Sequence, residues 1–200
     1  MDAFRIVISG VGGQGTLLAS RLLAEASINA EISVKIGETY GMAQRGGPVM
    51  GHIQIGGTIN NPQIRKGEAD VLLAFEPAEA TRRGITYLKK NGLAIINSRP
   101  TAPVEVISGM IPYPKLNELK NLLKKVSDNL YYFDATKLAE KAGDAIATNV
   151  VMLGALSASG VLPFKEETLI TTLEKSLHPR HLELNLNAFQ LGKQAFKTLL

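Results

Sequence analysis

Two hundred residues, 45% of them hydrophobic, are enough for one domain with a substantial core. Twenty-two basic against 18 acidic side chains leave a net charge of +4, with no long run of one sign and no interleaved aromatics, so nucleic acid is not an expected partner. Cysteine is absent, which excludes disulfides, thiolate nucleophiles, cysteine-ligated zinc and any cysteine-held iron–sulfur cluster in this chain.

The N-terminus opens directly on strand formers and carries no signal-peptide pattern, so a cytoplasmic protein is expected. Ile6, Val7 and Ile8 feed a glycine-dense turn, Gly10-Val11-Gly12-Gly13-Gln14-Gly15, and a helical pattern begins at once. Gly15, Leu18, Ala19, Leu22, Leu23 and Ala26 recur at the spacing of one buried helix face. Gly10, Gly12 and Gly15 fit G-x-G-x-x-G in strand–turn–helix context. Such a turn suits an anion: missing side chains admit a phosphate to the backbone N–H groups, and the helix N-terminus adds partial positive charge. The plain alternative is a tight turn without a ligand. A P-loop is excluded, because Thr16 stands where that motif needs lysine.

Residues 32–36 read as a second strand, with Glu38 near its end as a candidate for ribose hydroxyls if the domain binds a dinucleotide. The spacing from the glycines is long for that role, and a solvated glutamate fits equally well. Residues 38–48 mix glycines, a proline, a tyrosine, a glutamine and Arg45, which suits a surface loop that binds something. Arg45 can clamp a phosphate or carboxylate there, or simply be solvated. Residues 49–59 alternate around Gly56-Gly57 and predict an antiparallel strand or hairpin beside the parallel sheet. His52 falls in that strand, and with no second metal-type residue nearby it reads as a structural histidine.

Residues 69–75 make a further buried strand, and Glu76-Pro77 opens a helix reaching about Leu88. Glu76 sits at a strand's carboxyl end, where it either caps its own helix or faces a ligand crevice. Gly92 marks a turn into the strand at 93–97. Prolines at 100, 103, 112 and 114 make 98–115 a loop, with a short edge strand at 104–107. Next come an amphipathic helix over 116–126, a strand at 130–133, and a helix at 135–142 capped by Asp134.

The last third is helical. Residues 145–164 are uncharged over a long stretch, but Thr148, Asn149, Ser157 and Pro163 make a buried helix the better reading than a membrane span. Glu166 and Glu167 start a helix with Leu169, Ile170, Leu173 and Leu177 inward. His178 and His181 flank Pro179 with no carboxylates around them, so no metal site is expected there. A final helix over 182–200 is expected to bury Leu182, Leu186, Phe189, Phe196 and Leu199. The strands alternating with helices predict an α/β fold: a single three-layer, Rossmann-like domain over 1–200, with a mostly parallel central sheet and a helical C-terminal third. No serine-nucleophile elbow, metalloprotease motif or paired-carboxylate spacing appears, so no catalytic residue can be named. A ligand-cradling loop without catalytic machinery favours a binding subunit.

Three blocks in this order resemble the gamma subunit or domain of 2-oxoacid:ferredoxin oxidoreductases, most of all its indolepyruvate branch. They are Gly10-Val-Gly-Gly-Gln-Gly15, Tyr40-Gly-Met-Ala-Gln-Arg-Gly-Gly47 before the strand with His52, and Asn149-Val-Val-Met-Leu-Gly154. The resemblance covers nearly the whole chain. It implies oxidative decarboxylation of a 2-oxoacid to an acyl-CoA with ferredoxin as electron acceptor. It also implies a larger catalytic partner subunit that carries thiamine diphosphate and the iron–sulfur clusters, this chain being inactive alone. By motif, Gly10, Gly12, Gly13, Gln14, Gly15 and Arg45 would contact coenzyme A. Two other readings remain: a stand-alone nicotinamide-dependent oxidoreductase using the same glycines with Glu38, and a non-catalytic binding module.

Overall fold

The computed structural model describes residues 2–38, 46–102, 106, 108–110 and 112–200. Among them, one sheet holds the strands β1 (Phe4–Val11), β2 (Val34–Glu38), β3 (Pro48–Ile55), β4 (Ala69–Ala74), β5 (Leu88–Asn97) and β6 (Leu130–Phe133). Their order is β2-β3-β1-β4-β5-β6. β1, β4, β5 and β6 are mutually parallel, and β3 alone runs against both its neighbours. The helices are α1 (Thr16–Asn29), α2 (Pro77–Tyr87), α3 (Leu116–Lys124), α4 (Ala135–Ala142), α5 (Thr148–Ala158), α6 (Glu166–Ser176) and α7 (Leu182–Thr198). The expected three-layer α/β architecture with a mostly parallel sheet is what these elements build.

Strand side chains alternate between two buried faces. Ile6, Ile8, Val71, Leu73 and Ile95 point into one core with α1 and α4 to α7. Val7, Leu72, Ala74, Ala94 and Ile96 point into a second core with Ala80 of α2 and Leu123 of α3. On that second face, the chain segment after β3 bonds two of its side chains. The Gln54 side chain donates to the Asn61 carbonyl at 2.7 Å, and the Ile64 amide donates to His52 Nδ1 at 3.3 Å.

Local chemistry sets the helix starts. Glu76 accepts from the Glu79 amide at 2.8 Å with Pro77 in the first turn, and Asp134 accepts from the Lys137 amide at 2.8 Å. The uncharged stretch is a fully internal helix: every residue of α5 from Thr148 to Leu156 is buried. Its apolar character all round follows from lying between other elements. No helix among the described residues is long and apolar enough to cross a membrane.

Four features differ from the sequence expectation, and a fifth is left untested. β2 begins at Val34, because the Ile32 amide still bonds the Ser27 carbonyl at 2.9 Å in the exit turn of α1. β3 lies inside the sheet, between β2 and β1, and no return arm follows Gly56-Gly57. Those glycines instead turn the chain against the N-terminus, where a Cβ on Gly57 would sit 2.8 Å from the Ala3 amide nitrogen. β5 starts directly after α2, and Gly92 lies within a register shift that pairs Ala69 with Leu88 but Val71 with Leu93. α7 buries Asn185, Ala188, Phe189, Gly192 and Phe196, while Leu182 and Leu186 are half-buried and Leu199 is exposed. Its closest approach to a neighbour is made by a glycine, so the buried stripe is rotated from the one the leucines suggest. Finally, the edge strand expected at 104–107 falls outside the described residues except for Val106.

Candidate functional site

β1 sends the chain to one face of the sheet through α1, and β4 sends it to the other through α2. Ligands of open α/β sheets bind outside the strands' carboxyl ends at such a divergence. Here the divergence lies between β1 and β4, and the glycine turn hangs over it. The structure brings Gly10, Gly12, Gly13, Gln14 and Gly15 together at this edge, as the motif requires.

The turn is held from three sides. Gly12 donates its amide to the Gly47 carbonyl at 2.8 Å and accepts from the Gly46 amide at 3.2 Å. Arg45 lies outside the described residues, but its neighbour Gly46 is thus fastened to the turn. Gln14 spans the crevice: its Oε1 accepts from the Val11 amide at 2.7 Å, and its Nε2 donates to the Phe75 carbonyl at 3.1 Å and Thr101 Oγ1 at 3.0 Å. Both amide hydrogens of Gln14 are committed, so its side chain staples β1, β4 and the loop after β5. Gly10 leaves room for that staple, since a Cβ there would meet Gln14 Oε1 at 2.7 Å.

Other amides of the turn are left unpaired. The amides of Gly13, Gly15, Thr16 and Leu17 have no partner among the described residues. They stand at the start of a 14-residue helix, where unsatisfied N–H groups and the macrodipole both favour an anion. Gly13 at φ 104° and Gly15 at φ 77° adopt backbone conformations that other residues resist. A Cβ on Gly13 would meet nothing within 4 Å among the described residues. Gly15 instead lies against Asn149, near the start of α5.

Two hollows flank the turn. One is a groove of 520 Å³ between Leu17, Leu18 and Arg21 of α1 and Ile36 and Glu38 of β2. Glu38 stands two strand spacings from β1, because β3 lies between. The ribose arrangement of a dinucleotide fold needs the acid on the strand beside the glycine turn. The nicotinamide reading loses its anchor.

The other hollow is a cavity of 360 Å³ on the β4 side, lined in part by Val11, Gly46, Glu76, Thr101 and Tyr113. Glu76 is 1% exposed, accepts from the Tyr113 hydroxyl and caps α2 with its other oxygen. It therefore caps its helix and lines the crevice at once. Burial and the Glu76 carboxylate push the Tyr113 hydroxyl well above the usual tyrosine range. Glu79, one turn on, is raised by burial despite Arg82 and Arg83 beside it. Neither Thr101 nor Tyr113 carried a sequence signal, since both sit in an irregular loop without periodicity. His52 lies away from the turn, edge-on to Tyr87 at 5.2 Å between ring centroids. Burial, and then Arg83, lower its pKa. It is a neutral structural histidine, as its isolation in the sequence suggested.

The chain is similar to known proteins along nearly its whole length. Residues 5–195 match the model of the pyruvate ferredoxin/flavodoxin oxidoreductase family. The indolepyruvate oxidoreductase subunit IorB of Thermococcus kodakarensis is 42% identical, over 100% of this chain and 99% of that protein. The protein of the same name from Archaeoglobus fulgidus is 42% identical, over 94% of this chain and 92% of its own length. Among solved structures, the gamma subunit of a keto/oxoacid ferredoxin oxidoreductase from Geobacter sulfurreducens superposes with a TM-score of 0.69 at 26% identity, covering 98% of this chain and 99% of that one. The chain belongs to the pyruvate ferredoxin/flavodoxin oxidoreductase family.

Proposed function

We propose that this member of the family is the small subunit of a cytoplasmic 2-oxoacid:ferredoxin oxidoreductase acting on indolepyruvate or a related aryl pyruvate. Its glycine turn holds a phosphate-bearing group of coenzyme A. The full-length likeness to indolepyruvate oxidoreductase subunits supports the substrate class. The observation that carries the ligand is the division of labour in the turn: some amides are consumed in fixing its shape, while those of Gly13, Gly15, Thr16 and Leu17 have no partner among the described residues.

Coenzyme A supplies the thiol that accepts the acyl group. The chain's own residues bind and orient the phosphate end, with Gly10, Gly12 and Gln14 shaping the cradle and Arg45 adding a formal charge from the adjoining loop. Thiamine diphosphate and the iron–sulfur clusters belong to a larger partner subunit, the former as the family resemblance implies; for the clusters, a chain without cysteine also has no thiolates with which to hold them. Leu17 in the first turn of α1 and Ile146 just before α5, 38% and 77% exposed, are apolar surface for that partner to cover.

The test is acyl-CoA formation by the reconstituted complex. Gly12→Val should block close approach to the turn. Arg45→Ala should raise the KM for coenzyme A by roughly tenfold to a hundredfold, the equivalent of about 1.5–3 kcal/mol for a charged hydrogen bond. Variants that assemble normally and leave both KM and rate unchanged would make the turn structural only. The chain without its partner should show no 2-oxoacid oxidation with a dye acceptor; turnover by it alone would refute the division of labour.

A further inference from the structure

The start of α5 meets the glycine turn, and the contact is made by a polar side chain with an unused donor. Asn149 is the second residue of α5 and only 4% exposed. Its Oδ1 accepts from the Val150 amide at 2.9 Å, which fixes the carboxamide's orientation. The other end, Nδ2, has no hydrogen-bond acceptor among the described residues and faces Gly15. A Cβ built on Gly15 would lie 2.9 Å from Nδ2, nearer than to any other atom of Asn149. With one end of the carboxamide pinned, the other end is held in place as a free donor beside the turn.

We infer that Asn149 is a ligand-binding residue, donating its side-chain amide to the same anion that the Gly13–Leu17 amides hold. The inference rests on the reading of the turn as a phosphate site and adds a donor from a second helix, 133 residues further along the chain. Its physical basis is convergence. The N-terminus of α1 carries the unpaired amides of the turn, and the first turn of α5 brings Asn149 to Gly15. One helix end and a neutral side-chain donor then meet at one point, with no carboxylate contributed by the turn or by Asn149. A side-chain donor from a separate element also makes the site selective, because it positions the anion against α5 as well as the turn. Gly15 is required twice over: its φ is left-handed, and any side chain would displace Asn149.

Asn149→Asp separates ligand binding from structure. The carboxylate keeps the volume and still accepts from the Val150 amide, and a negative charge at a helix N-terminus does not weaken the helix. Toward phosphate it replaces a donor with a repelling charge. In the assembled complex, calorimetric binding of coenzyme A should weaken more than a hundredfold, with a raised KM, little change in kcat at saturation and an unchanged Tm. Pantetheine, which lacks the phosphates, should be used equally well by wild type and variant. Asn149→Ala, which removes the donor without adding charge, should weaken coenzyme A about tenfold and serves if the aspartate variant does not assemble.

Wild-type affinity for coenzyme A in either assembled variant overturns the inference, as does an equal loss for coenzyme A and pantetheine. Gly12→Val separates the two levels. If it weakens coenzyme A while Asn149→Asp does not, only the role of Asn149 falls. If neither changes binding, the phosphate site itself falls.

Discussion

Glycine does two different jobs in this molecule, and the two places that depend on it most fail differently. At the carboxyl edge, Gly13 and Gly15 are needed for left-handed backbone and an open approach. At the crossing of α5 and α7, Gly154 and Gly192 are needed because nothing else fits. A Cβ on Gly154 would stand 2.1 Å from the Phe189 carbonyl oxygen, and one on Gly192 would stand 1.9 Å from that of Val151. Each helix thus presents its glycine to the other's backbone. The first pair keeps space empty for something outside the chain; the second removes space altogether. One is a site and the other is packing, although both look alike as letters.

The largest effect should come from the crossing. Gly192→Ala forces α7 away from α5, and α5 is buried on every side, so the strain spreads into the main core. Overpacking of this severity should cost about 3 kcal/mol or more in urea denaturation, with assembly lost in consequence. If Gly192→Ala is tolerated within 1 kcal/mol, the two helices are not locked at this point. At the turn the order reverses. Gly13→Ala meets no neighbour and should cost only about 1–2 kcal/mol of backbone strain, yet its methyl group enters the open space and should abolish coenzyme A binding. A Gly13→Ala protein that is slightly less stable but binds normally would break the distinction.

The difference between these regions explains what was legible. Strands β1, β4 and β6 and the turn could be read because apolar runs and glycine spacing are local patterns. The antiparallel insertion of β3 between β2 and β1 could not, since strand order is decided by which edges meet and leaves no periodic trace. Gly192 was passed over for the same reason: its meaning lies in Val151 on another helix. The leucines of α7 misled because amphipathic spacing assumes that large side chains make the closest contact. In the site, Gly10 to Gly15 were visible as a motif, whereas Thr101 and Tyr113 reach the crevice through an irregular loop.

A smaller effect tests whether the cavity beside the turn behaves as site or as packing. Tyr113→Phe leaves one oxygen of the buried Glu76 without its donor. The loss should be about 1–2 kcal/mol by thermal denaturation. Glu76 still caps α2 through its other oxygen, so the helix itself should survive, and circular dichroism should show unchanged helix content. A larger collapse would mean that the loop over 98–115 holds the edge together.

The smallest effect belongs to neither region and should leave both intact. His52 is buried beside Arg83, and its pKa is lowered from 6.5 by burial first and by that guanidinium second. The folded state therefore binds the proton less readily than the unfolded chain. Stability contributed by the neutral ring is fully present above pH 6.5 and is lost as pH falls below that value, until the folded-state pKa is reached. His52→Gln cannot titrate, so its denaturation midpoint should change less between pH 7.5 and pH 6 than that of the wild type. The glutamine can still present an acceptor to the Ile64 amide, which limits any loss at high pH. Equal slopes for the two proteins would show that His52 takes up its proton alike in the folded and unfolded chain, and the second face of the sheet would then have to accept an imidazolium beside Arg83 as readily as water does.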